Sequence, residues 1–142
     1  MRFKTSTNGL KLITDSEGCV LHAYADATGT LTIGYGHTLG VVAGQVITKM
    51  QALDFLKSDL DRVENFINQY ELPINQNQFD ALVDLLFNCG TGVFKNFVPL
   101  ILAFNTDAVC AKLGLYVFSK GVKLPGLVTR RAKEVELYKK KI

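Results

Sequence analysis

At 142 residues, 48% of them hydrophobic and 20% charged, the chain has the length and composition of one domain with a substantial core, which excludes a disordered polypeptide. Its net charge of +3 is too small to single out nucleic acid or any other polyanion as a partner. The longest apolar run, residues 97–104, contains Pro99 and falls far short of the roughly 20 residues needed to cross a bilayer, so no stable membrane insertion is expected.

Over residues 8–17, Leu10, Ile13 and Glu17 fall at i, i+3 and i+7, one face of a helix, and Gly18 suits its stop. Period two follows over 20–37, where Leu31, Ile33 and Tyr35 alternate with Thr30, Thr32, Gly34 and Gly36. This predicts a small hairpin sheet turning at Asp26-Ala27-Thr28-Gly29. Thr48-Lys49-Met50-Gln51 reads as a capping box that opens a long helix over about 48–72, with Leu53, Leu56, Leu60, Val63, Ile67 and Tyr70 as its stripe and Leu72-Pro73 as its end.

Asn75-Gln76-Asn77-Gln78 caps a further helix with Phe79, Leu82, Val83 and Leu86 inward, broken by Cys89-Gly90-Thr91-Gly92. Shorter helices are predicted over 96–105, 107–120 and 129–140, with Leu124-Pro125-Gly126 as the turn before the last. No linker divides the chain, so residues 1–142 form one α+β domain. Its expected parts are a small amino-terminal lobe over about 1–47, the connecting helix, a larger helical lobe over about 73–142, and a cleft between the lobes.

Cys19, Cys89 and Cys110 are an odd number at unrelated spacings, with neither a CxxC pair nor a zinc-like cluster, and are expected as free thiols in a reducing cytosol without a metal. The basic start MRFK is followed by apolar pieces broken at Asn8, Lys11 and Asp15, so no signal-peptide core is expected. Gly34-Tyr35-Gly36 fails as a dinucleotide fingerprint because Leu39 stands where the third glycine belongs.

Two carboxylates stand out. Breaking a glycosidic bond needs an acid to protonate the departing oxygen and a second carboxylate to assist water or attack carbon. Glu17, on an apolar helix face and at the negative pole of the helix dipole, is expected to favour its protonated form. Asp26, in a polar turn near Thr32, is expected to stay ionised, so the two environments separate the two roles.

The pattern Glu17-x8-Asp26-x5-Thr32 within EGCVLHAYADATGTLTIGYGHT closely resembles the active-site segment of phage-type lysozymes, the endolysins of the T4 and P22 type in glycoside hydrolase family 24. GQVITKMQA, NQNQFDALVDLLFNCGTGVF and GLVTRRAKEVELY are similar to that family as well, so the resemblance covers most of the chain. It implies a lysozyme-like fold and an endo-acting muramidase that cleaves the β-1,4 bond between N-acetylmuramic acid and N-acetylglucosamine in bacterial peptidoglycan, with inversion and without metal or cofactor. Glu17 would be the general acid, with Asp26 and Thr32 holding the attacking water.

Carried over position by position, His37 would brace the sheet against Asp59, Thr38, Phe87 and Asn88 would line the cleft, and Arg131 would approach Glu17 and help to bind anionic substrate. The implied setting is a monomer that waits in the host cytoplasm until a holin opens the route to the wall, and that binds no nucleic acid. The chain departs from many relatives in lacking tryptophan, with Phe118-Ser119-Lys120-Gly121 where they place one. Two other classes fit the same residues: a catalytically silent module that binds wall glycan or protein, and a lytic transglycosylase, which needs one glutamate and admits no water. The presence of Asp26 and Thr32 beside Glu17 favours hydrolysis.

Overall fold

The computed structural model describes residues 2–141, which divide into two compact units, residues 2–12 with 63–141, and Ile13–Arg62. Helix α1 (Thr7–Glu17) and helix α2 (Lys49–Asn68) each contribute residues to both.

The unit over 13–62 is built on an antiparallel hairpin of β1 (Val20–Ala25) and β2 (Leu31–Gly34), in which Tyr24 pairs with Thr32 and Ala25 with Leu31. Alternation along β2 does not separate inside from outside, because Thr32 and Ile33 are both buried. The segment before α2 pairs with the second edge of β1, with the Ala23 amide donating to the Gln45 carbonyl and the Ile47 amide to the Leu21 carbonyl. Ile13, Ile33, Tyr35, Ile47, Ala52, Leu56 and Leu60 form the core of this unit. Gly34 allows close packing there: a Cβ at this position would stand 3.2 Å from that of Ala52.

The α2 capping box is present, the Gln51 amide donating to Thr48 Oγ1 and the Thr48 amide to Gln51 Oε1. The helix ends at Asn68 rather than at 72. Three-residue bonds from the Tyr70 and Glu71 amides tighten the last turn, Glu71 takes a φ of 49°, and the Asn68 side chain is bonded to both backbone groups of Phe3.

The other unit centres on α3 (Gln76–Cys89), capped by a reciprocal Asn75–Gln78 box. Residues 79–86 are all buried, so α3 is a central helix surrounded by its unit rather than an amphipathic surface helix. A 3-10 helix (Thr91–Asn96), α4 (Val98–Leu102), α5 (Thr106–Leu113) and α6 (Pro125–Lys139) complete the helical content, and α6 lies against α3.

The sequence predicts a helix over 107–120, but α5 stops at Leu113, capped at Gly114, and a second small hairpin follows, β3 (Phe118–Ser119) with β4 (Val122–Lys123). Lys120 and Gly121 take φ of 51° and 78°, the two left-handed positions of a tight hairpin turn. The expected turn at Leu124-Pro125-Gly126 is instead the start of α6, with Pro125 in the first turn, where its missing N–H costs nothing.

Candidate active site

Glu17, Asp26 and Thr32 all lie within the unit over 13–62. Glu17 is the last residue of α1, which Gly18 terminates at a φ of 70° with its amide donating to the Thr14 carbonyl. The Glu17 carboxylate rests against the turn after β2: a Cβ at Gly36 would come 3.5 Å from Glu17 Oε1. Glu17 is half-buried, less enclosed than its place on an apolar helix stripe suggests.

Asp26 opens the β1–β2 turn, its amide donating to the Thr30 carbonyl at 2.9 Å. Its Oδ1 accepts from the Thr28 amide at 2.8 Å, the Thr28 hydroxyl at 2.7 Å and the Thr30 amide at 2.9 Å. These donors, the Thr28 hydroxyl first among them, hold the carboxyl below its ordinary value of 3.8 because they stabilise the anion. The register that sets Tyr24 opposite Thr32 makes Asp26 and Thr32 diagonal neighbours on one face of the hairpin, a relation of roughly 7–8 Å between strand positions. Thr32 is 4% exposed, and its hydroxyl donates to the Thr30 carbonyl at 3.0 Å. With that proton committed, Thr32 Oγ1 is left to accept.

Residues 14–134 match the phage lysozyme family model. The chain belongs to the phage lysozyme family. It is 36% identical to an endolysin of Acyrthosiphon pisum secondary endosymbiont phage 1 over 94% of this chain and 96% of that protein. Among solved structures it is similar to the muramidase domain of SpmX from Asticaccaulis excentricus, with a TM-score of 0.91 and 30% identity over 99% of this chain and 100% of that one. It is similar also to a P22 lysozyme, with a TM-score of 0.86 and 33% identity over 96% and 98% of the two chains.

Of the remaining residues singled out in the family pattern, His37 is buried, with Nδ1 2.8 Å from Asp59 Oδ2 and its ring stacked on Phe55 at 4.3 Å. Thr38 is exposed in the same unit. Phe87, Asn88 and Arg131 stand in the other unit, where Arg131 is 1% exposed and donates to Asn88 Oδ1 at 2.8 Å, to Cys89 Sγ at 2.9 Å and to the Tyr116 carbonyl. Asn88 and Cys89 line an open cavity of about 390 Å³ together with Tyr116, Phe118 and Leu124.

Sequence reasoning missed two features. Thr28 escaped because a turn threonine carries no distinctive spacing. The other is a buried cluster behind Arg131, in which Arg130 grips Asp84 with bonds of 2.7 to 3.2 Å and Arg131 Nε lies 2.9 Å from Glu134 Oε1 as an ion pair not aligned for a hydrogen bond. Burial pushes Glu134 well above the usual carboxylate range, and the neighbouring Asp84 adds to this, against a smaller opposing pull from Arg131 and Arg130. The spacing of Arg131 and Glu134 on one helix face was the available signal. Among the described residues no group of three or more His, Cys, Asp or Glu could hold a metal ion.

Proposed function

We propose that this member of the phage lysozyme family is an endolysin, a muramidase that hydrolyses the β-1,4 bond between N-acetylmuramic acid and N-acetylglucosamine in bacterial peptidoglycan. The observation that carries the reading is the pairing of an aspartate held ionised by its own turn with a glutamate at the end of α1, in one unit of a chain of this family. Glu17 in its acid form delivers a proton to the departing glycosidic oxygen. A water donates one hydrogen to Thr32 Oγ1 and gives the other to Asp26 as its oxygen bonds to the anomeric carbon, so the configuration inverts. His37, tied to Asp59, holds the turn after β2 against which Glu17 rests. Thr38 is the glycan contact that the family pattern implies in this unit, and Phe87, Asn88 and Arg131 are those it implies in the other, where Arg131 donates to Asn88 Oδ1.

The test is digestion of purified peptidoglycan by the natural chain and by Glu17→Gln, with the new sugar ends identified by mass spectrometry. Reducing muramic ends, with activity in the variant lower by about a hundredfold or more, are expected. Anhydro ends would select a transglycosylase, and an intact wall exposed to folded protein would select a binding module. Proton NMR of the first-formed anomer decides between inversion and retention.

No helix among the described residues is long and apolar enough to cross a membrane. The family resemblance makes a pore opened by a holin the proposed route to the wall, and the proposed state is a monomer. Expression in a bacterial host with and without a holin tests the first, since lysis without one would overturn it; sedimentation tests the second.

A further inference from the structure

The bonds around Asp26 exceed what its turn needs. An aspartate that opens a turn is satisfied by the amide two residues on, yet Asp26 Oδ1 also takes the Thr28 hydroxyl at 2.7 Å and the Thr30 amide at 2.9 Å. The Thr28 side chain is exposed and fills no core, so packing does not explain it. Its oxygen lies 3.1 Å from Thr30 Oγ1, and because the Thr28 proton goes to Asp26, Thr30 is the donor of that pair. Two hydroxyls thus point in series at one carboxylate oxygen, an order in which each bond polarises the next.

We propose that Thr28 is a positioning residue for hydrolysis: its amide and hydroxyl lock Oδ1 of Asp26, so that Oδ2 is the oxygen that takes the proton of the attacking water. The inference rests on the reading of Asp26 as the base. The atoms balance without a co-reactant: the water oxygen bonds to the anomeric carbon, its proton passes to Oδ2, and the bond to the departing oxygen breaks as that oxygen receives the proton of Glu17. The groups facing the carboxylate are the Thr28 hydroxyl and the amides of Thr28, Gly29 and Thr30, none of which titrates. The Thr28 hydroxyl is the largest cause of the lowered Asp26 pKa, so its removal moves the Asp26 titration upward, toward 3.8.

Thr28→Val and Thr28→Ser test this. With Thr28→Val, kcat on solubilised glycan strands is expected to fall about tenfold at unchanged KM. The acidic limb of the rate profile and the NMR titration of the Asp26 carboxyl should both move to higher pH, and Thr28→Ser should restore all three. Unchanged kcat and titration in Thr28→Val, or a loss that serine does not restore, would overturn the proposal. Full activity in Asp26→Asn would remove Asp26 from the reaction. A shifted carboxyl titration in Thr28→Val would then place the error in the role of Asp26 rather than in the wiring of the turn.

Discussion

At the scale of single residues, the chemistry proposed for the site depends on small groups that hold larger ones in place. Asp26 is lowered by hydrogen bonds alone, and the sign is simple: its anion is present above the folded value and is lost as the pH falls through it. The acidic limb of kcat/KM assigned to Asp26 is therefore expected below pH 3.8, and a limb well above that value would remove Asp26 as the titrating group. Gly9 makes a comparable point about packing. A Cβ there would stand 2.7 Å from Asp80 Cγ and from Thr5 Cγ2, and Asp80 cannot retreat, being fully buried and held by the Ser6 amide and hydroxyl and by Gln76 Nε2. Helix propensity favours Gly9→Ala by up to about 1 kcal/mol, but overpacking costs about 1–3 kcal/mol, so the variant should be less stable in urea. A higher midpoint would show that the contact relaxes freely.

At the scale of elements, the pairing of α3 with α6 carries two acids and two guanidiniums out of water, and one of those acids is strained electrostatically. The folded Glu134 carboxyl lies well above its ordinary 4.5, so its contribution to stability is complete below that value and is lost as the pH rises through the folded one. Glu134→Gln keeps the shape and the oxygen facing Arg131 but removes the ionisation. Its urea midpoint is expected to hold where that of the natural chain declines, and parallel pH curves for the two proteins would discount the effect.

The same helix pair shows what was legible at this level. Asn75 and Gln78 announced α3 because a capping box is a local motif, complete within four residues. Pro125 was ambiguous, since a Pro-Gly pair suits both a turn and a first helical turn, and β3 with β4, two residues each, offered too short a run for period two to register.

At the scale of the molecule, stability comes from burial rather than covalent staples. Cys19, Cys89 and Cys110 are free thiols, so the thermal midpoint should be the same with and without reductant, and three thiols should titrate in denaturant. A drop with reductant would reveal a disulfide between molecules.

By itself the sequence determined the α+β class, the main helices and the family, because caps, periodicity and the spacing of Glu17, Asp26 and Thr32 are written in neighbouring residues. Tertiary structure alone decided that α3 is a buried centre, that Asn68 ends α2 by binding Phe3, and that Asp84, Arg130, Arg131 and Glu134 meet in one dry cluster. The difference is physical: a carboxylate is expensive or cheap to bury according to partners that only the folded chain brings within reach.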